Sequence, residues 1–271
     1  MTSENLSRMG VAKVHPGVDE KGGRVIDKYP VNLVEYSFYT SAADELKSIG
    51  IKTPRLLHAD AEQSRLRLEY IPHKVSQDEV SEDAVLLMLS RLHCYQPKPA
   101  WVYHHHGWTD SDLEKSLALL RLPDRAAQQM RFLQQASDAL FSQQYLLSGD
   151  TNAGNWGRRD NGDLVLFDWE RFGTGSPAID LAPLVKGMGS KKTITKIAER
   201  YSALSPVTTT TQLAAEIIIA KAWIVTEVIV LLNERRKNDF EFYLNWYRDK
   251  LADWLNEAVQ FFTITKNALD E

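Results

Sequence analysis

Residues 146–170 read LLSGDTNAGNWGRRDNGDLVLFDWE. This stretch interrupts a region that is otherwise helical in pattern. Asn161-Gly162 is a strong hairpin-turn signal, because a two-residue turn of the favoured hand needs residues that tolerate positive φ. Asn155-Trp156-Gly157 lies on one side of the turn and Leu164-Val165-Leu166-Phe167 on the other. The expected form is a loop, a hairpin, and then Asp168 at the end of an apolar strand. An acid in that position calls for a functional reason, since the four residues before it are built for burial.

Three polar residues of this stretch form a chemical set. A hairpin brings its ends together, so Asn155 and Asp168 can approach one point in space. Two oxygen donors of this kind, completed by phosphate oxygens and water, suit Mg²⁺. Asp150, at the head of the loop, is then free to orient a hydroxyl and accept its proton. Phosphoryl transfer needs these parts, because its catalysis is mostly positioning and charge neutralisation. Asp150 alone could equally cap a turn; the spacing of all three favours the functional reading.

Working outward, residues 1–72 read as short strands broken by turns, with one helix. Gly10 to His15 alternates weakly, and Pro16-Gly17 and Gly22-Gly23 suggest the flanks of a hairpin turn. Arg24 to Lys28 reads as a strand ending at Pro30. From Val34 to Ile49 the period becomes helical, with Phe38, Ala42 and Leu46 on one stripe and Gly50 as a stop. Further strands are expected at 55–59 and 64–71. Beyond Pro72 helices are expected at 79–94, 110–121, 124–143, 191–203, 211–235 and 239–262. The expected class is α+β, with a β-rich lobe at 1–72 and a larger, mainly helical lobe at 73–271.

Composition narrows the function. The net charge of −4 lacks the basic excess of a large nucleic-acid footprint, so no nucleic-acid partner is expected. A single cysteine, Cys94, cannot form an internal disulfide; it is expected to be a small core-facing residue. The N-terminus has no hydrophobic signal core. Leu213 to Leu232 is apolar but carries Glu216, Lys221 and Glu227, which are costly near a bilayer centre. A buried helix and a cytoplasmic protein are the expectation, with no membrane partner.

The motifs resemble a known group. Ser148-Gly149-Asp150-Thr151-Asn152-Ala153-Gly154-Asn155 is similar to the catalytic loop of the aminoglycoside phosphotransferase and choline kinase-like family. Phe167-Asp168-Trp169-Glu170 resembles that family's metal-binding Asp with its following Trp and acid. Gly175-Ser176-Pro177-Ala178-Ile179-Asp180-Leu181-Ala182 resembles its next segment, where Asp opens a helix. The resemblance covers about residues 8–185. It implies a bilobal protein-kinase-like fold and an ATP-dependent kinase acting on a small hydroxylated molecule, aminoglycoside-, choline- or sugar-like.

By the same resemblance, Asp150 is the catalytic residue, and Asn155 and Asp168 hold Mg²⁺. Lys28 contacts the ATP phosphates and Glu35 pairs with it, although Lys13 is an alternative strand lysine. Leu68-Glu69-Tyr70-Ile71-Pro72 resembles the hinge between lobes, which places Glu69 and Ile71 among the nucleotide-binding residues. Asp180 is expected to be a helix cap.

Two departures stand out. The family motif has His two residues before the catalytic Asp, where this chain has Ser148. The family's phosphate-covering loop falls at Ser3–Arg8, which has no glycine, and the strand that precedes it in the family would lie before Met1. These departures leave a second reading open, a catalytically weak or inactive kinase-like binding protein. His104-His105-His106 reads as a loop triplet, not a metal site. Trp246, Tyr247 and Trp254 read as core packing.

Overall fold

The computed structural model describes residues 12–236 and 239–270, so the expected phosphate-covering loop at Ser3–Arg8 and the start of the first strand at Gly10 lie outside the described residues. The chain divides into two compact units. One comprises Met1–His105 with Tyr145–Thr174, and the other His106–Gln144 with Gly175–Glu271.

The first unit opens with a four-stranded antiparallel sheet. Its strands are β1 (Lys13–Val18), β2 (Arg24–Tyr29), β3 (Leu56–Asp60) and β4 (Arg65–Glu69), in the order β1-β2-β4-β3. In β4 the alternation is plain. Leu66 and Leu68 are buried, while Arg65, Arg67 and Glu69 point the other way, as a half-solvated strand requires. Pro16-Gly17 and Gly22-Gly23 flank the β1–β2 turn, as expected; Pro16-Gly17 lies within β1, with Pro16 opposite Ile26. An edge strand tolerates a residue with no N–H to donate. The turn itself falls on Asp19–Gly23, where Asp19 accepts hydrogen bonds from the backbone of Lys21 and Gly23.

The helix after β2 is built in three pieces: α1 (Leu33–Ser37), a π-helical stretch (Phe38–Ala42) and α2 (Ala43–Lys47). Asn32 caps it by accepting from the Glu35 N–H at 2.8 Å. The expected stripe of Phe38, Ala42 and Leu46 is buried throughout. Gly50 stops the helix with φ +90°, a left-handed conformation that costs glycine little. Farther along, the unit adds β5 (His73–Lys74), α3 (Asp83–His93), β6 (Tyr145–Leu147), β7 (Trp156–Arg158) and β8 (Leu164–Leu166).

The β7–β8 hairpin pairs Trp156 with Leu166 and Arg158 with Leu164. It turns at Asn161-Gly162, with Gly162 at φ +84°. Cys94 corrects an expectation. It is exposed, because α3 ends at His93 and Cys94, as the residue capping the helix end, falls off the buried stripe.

Gly157 in β7 is a close-approach site. A Cβ there would lie 2.6 Å from Ile71 Cγ2 and 3.1 Å from the His73 carbonyl oxygen. Gly157→Ala is therefore expected to destabilise the protein by about 1–3 kcal/mol, the usual range for overpacking. Urea denaturation measures this directly, and an unchanged midpoint would contradict the close approach.

The second unit is helical. It contains α4 (Asp110–Leu120), α5 (Asp124–Gln135), α6 (Asp138–Ser142), α7 (Ala178–Leu181), α8 (Lys191–Ser202), α9 (Thr210–Glu234) and α10 (Phe240–Asp270). The helix expected at 124–143 is broken at Ala136-Ser137. There Ser137 turns its hydroxyl back to the Gln134 carbonyl at 2.6 Å and a new helix starts at Asp138. Helix α9 is apolar on nearly every side and packs against α4 to α8 and α10, as expected of a central helix.

The buried charges of α9 have partners. Glu216 accepts from Gln143 at 2.8 Å, from Gln212 at 2.9 Å and from the Ser176 hydroxyl. Among the described residues, no helix is long and apolar enough to cross a membrane. Asp180 corrects a second expectation. Pro177 holds the N-cap position of α7, and Asp180 lies fully buried in its first turn.

Candidate active site

The site lies within the first unit. Lys28 near the end of β2 is only 7% exposed. Its Nζ lies 2.7 Å from both carboxylate oxygens of Glu35 and donates to Asp168 Oδ1 at 2.6 Å. Lys13, by contrast, is exposed at the start of β1. Glu35 is 1% exposed and stands in the first turn of α1, directly after its Asn32 cap.

An aromatic cluster fixes this approach from below. Phe38 stacks on Trp169 with centroids 4.0 Å apart and planes 7° apart, and Phe172 packs edge-on against both. All three rings are buried. They tie the helix that carries Glu35 to the segment that carries Asp168. The Trp169 indole N–H donates to the Leu166 carbonyl at 3.0 Å, and Asn32 Nδ2 donates to the Glu170 carbonyl at 3.0 Å.

Asp168 itself has φ +65°. A non-glycine residue held in the left-handed region stores strain that the surroundings must impose. Its side chain remains 31% exposed, so it can reach a ligand while holding Lys28. Glu35, Asp168 and Glu170 bring one carboxylate oxygen each to within 4.8 Å of one another. Among the described residues this is the cluster of acids and imidazoles with metal-ligand spacing. Glu170 stands in the sequence motif only as the acid after Trp169, with no role of its own expected there.

The electrostatics follow from burial and proximity. Burial opposes the charge of Lys28, but the carboxylates of Glu35 and Asp168 more than offset this and hold the ammonium well above its usual range. Burial pushes Glu35 up to about 7, against the pull of Lys28, and the charge of Asp168 adds to the rise.

The loop after β6 carries Asp150. Gly149 has φ +81°, which turns the chain sharply before it. The Trp156 indole N–H donates to the Thr151 carbonyl at 2.9 Å and pins the loop to β7. Asn152, a residue the sequence reading did not single out, does two things. Its Oδ1 accepts from the Gly154 N–H at 2.8 Å, and its Nδ2 donates to Asp150 Oδ1 at 2.6 Å. Its signal was its place in a short Asn-Ala-Gly turn.

Asn155 Nδ2 donates to the Asp150 carbonyl at 3.0 Å, which leaves its amide oxygen as the group available to a cation. The Asn155 carbonyl accepts from the Phe167 N–H at 3.0 Å. The hairpin thus joins the loop to the residue before Asp168. Burial raises the pKa of Asp150; Arg171 opposes that rise and the charge of Asp168 adds to it.

Glu69 and Ile71 have other neighbours. The Glu69 carboxylate accepts from Arg159 at 2.8 and 2.9 Å and from the Arg55 N–H at 3.0 Å. Burial opposes its charge, yet these donors hold it below the usual range. Ile71 packs on Gly157. His104 forms a backbone bridge to Gly173 while His105 is exposed, so the triplet does not converge.

A family model described as "Phosphotransferase enzyme family" matches residues 21–210. No curated protein matches the sequence significantly. Several solved structures share the fold. A choline/ethanolamine kinase family protein from Mesorhizobium loti superposes with a TM-score of 0.67 at 17% identity, over 98% of this chain and 92% of that one. The choline kinase LicA from Streptococcus pneumoniae gives 0.61 at 16%, over 97% and 94%. The amicoumacin kinase hAmiN, in complex with AMP-PNP, Ca²⁺ and Ami, gives 0.61 at 17%, over 93% and 88%. The fold is therefore the α+β, kinase-like one, with an N-terminal antiparallel sheet followed by a mostly helical region.

Proposed function

We propose that this chain, which belongs to the phosphotransferase enzyme family, is an ATP-dependent kinase that moves the γ-phosphoryl group to a hydroxyl of a small molecule of aminoglycoside, choline or sugar type. The observation that carries this reading is the Lys28 ammonium pinned between Glu35 and Asp168, with the Asp150 loop joined to the same hairpin. The slightly acidic chain suits a cationic acceptor.

In this reading residues 1–72 form the nucleotide-binding lobe and residues 73–271 the catalytic and substrate-binding lobe. Lys28 binds the phosphates of ATP and Glu35 keeps it aimed. Glu69 and Ile71 lie on the adenine side, through backbone groups and apolar contact. Asp150 orients the acceptor hydroxyl and takes its proton, and Asn152 holds Asp150 in place.

The donors at the site are oxygen atoms of Asn155 and Asp168, which fit a hard cation such as Mg²⁺. When bound there, Mg²⁺ would neutralise charge on the phosphates. Structures of two proteins with this fold contain a nucleotide, AMP in LicA and AMP-PNP with Ca²⁺ in hAmiN, which supports a nucleotide and a metal here.

A thermal-shift titration with ATP and Mg²⁺ tests the reading. A ligand specific to the folded state stabilises it by about 2.7 kcal/mol at one hundred times its Kd. The melting temperature is expected to rise with ATP only when Mg²⁺ is present. An unchanged melting temperature at millimolar nucleotide supports the kinase-like binding protein instead, and the buried Ser148 beside Asp150 is the residue to examine first in that case.

A further inference from the structure

The helical unit contains a cleft of about 270 Å³ that the kinase reading does not use. Its wall comes from α10, where Phe242, Tyr243, Trp246 and Tyr247 follow one another at helical spacing. Facing them is Lys221 of α9, a lysine only 7% exposed. Of the three aromatic residues read from sequence as core packing, Trp254 fits that description, since it is buried and donates to the Gly189 carbonyl at 2.9 Å. Trp246 and Tyr247 do more than fill space, because both line the cleft.

The chemistry of Lys221 is unusual. Its ammonium donates to the carbonyls of Val185 at 2.5 Å and Gly187 at 2.6 Å. An ammonium has three N–H donors, and these two carbonyls take two of them. Among the described residues, no acid lines the cleft. Burial alone pushes Lys221 down to about 7, with no carboxylate acting against it. A buried cation without a counter-ion is costly.

The neighbouring backbone is shaped to the purpose. Gly187 has φ +58°, and the Trp246 ring lies 3.7 Å from where a Cβ on Gly187 would stand. A side chain there would be strained, so the glycine lets one segment hold the ammonium and pass beneath the ring. Tyr247, on the same wall, brings a hydroxyl as a second polar group.

We propose that this cleft binds a small aromatic carboxylate, whose anion takes the remaining N–H of Lys221 and whose ring packs among Tyr243, Trp246 and Tyr247. Aromatic walls by themselves would also suit a cation; the buried ammonium among them selects the opposite charge. This site does not rest on the kinase reading and would survive its failure.

The test is a calorimetric titration of the full chain with three probes of one shape and different charge: benzoate, benzamide and benzylammonium. Benzoate is expected to bind roughly 10- to 100-fold more tightly than benzamide, the range of a charge-assisted hydrogen bond, and benzylammonium is expected not to bind. Lys221→Met should erase the preference for benzoate. Trp246→Ala, a change at a half-buried ring, should weaken benzoate and benzamide together. The comparison of probes on the unaltered protein stands even if a variant fails to fold. Equal affinity for benzoate and benzamide, binding of benzylammonium, no binding of benzoate, or an undiminished benzoate preference in a folded Lys221→Met protein would each overturn the proposal.

Discussion

Asp150→Ala is expected to slow phosphoryl transfer by about 10²–10⁴-fold, the contribution of a positioned acid–base group, while nucleotide binding stays within a few-fold of the unaltered protein. The separation follows from geometry. Asp150 is held by Asn152 and its backbone carbonyl by Asn155, whereas Lys28 is held by Glu35 and Asp168. A coupled assay against a panel of hydroxylated metabolites and antibiotics finds the acceptor; the variant is then measured on that acceptor. Full activity in Asp150→Ala would sink the assignment.

Asp150→Asn carries a second signature. It keeps an acceptor for Asn152 but removes the charge. The pKa of Asp150 is raised in the folded protein, by burial first and by Asp168 besides. The folded state therefore holds this proton more tightly than the unfolded state. Stability then falls as pH rises from the ordinary carboxylate range through the raised value. At neutral pH the ionised Asp150 costs stability, so Asp150→Asn is expected to melt higher than the unaltered protein. The difference should vanish below the ordinary carboxylate range, where Asp150 is neutral in both states. For the same reason, the acid limb of kcat/KM should lie above that range.

Lys28→Met is expected to cost about 3–5 kcal/mol, because it leaves the buried Glu35 carboxylate without its cation. The cost should depend on pH. Glu35 is already pushed up to about 7 by burial with Lys28 beside it, and removing the ammonium raises it further. An acid with a raised folded pKa loses stability as pH rises through the window between its ordinary and folded values. Both proteins share that loss up to about pH 7, so the deficit of Lys28→Met should be nearly constant below about pH 7 and grow as pH rises above it, toward the higher Glu35 value of the variant. Lys28 itself stays charged across this window.

The double variant Lys28→Met, Glu35→Gln removes both charges and should recover much of the loss. A double-mutant cycle by chemical denaturation measures the coupling. Recovery of stability without recovery of the ATP-dependent thermal shift would separate the fold-keeping role of the pair from its binding role. Additive losses would refute the coupling.

Local signals carried much of the architecture. The helices at 110–120, 191–202 and 210–234 lie within a residue of where apolar periodicity places them. The Asn161-Gly162 turn forms where its dipeptide indicates, because positive φ at Gly162 is a property of the residue itself. An error arose where a break leaves no mark in the apolar pattern. Ala136-Ser137 breaks a helix that apolar periodicity alone runs straight through.

The sequence by itself determined the family resemblance and the spacing of Asp150, Asn155 and Asp168, since these sit on one hairpin and depend on short-range geometry. It favoured Lys28 over Lys13 through the helix that directly follows Lys28, but the contact of Lys28 with Asp168 joins residues 140 positions apart. Only the tertiary structure placed Glu170 near Glu35 and Asp168 and put Lys221 in an aromatic cleft with no acid lining it among the described residues. Periodicity reports which side of an element is apolar, whereas charge pairing depends on distances between elements, and those are fixed by packing.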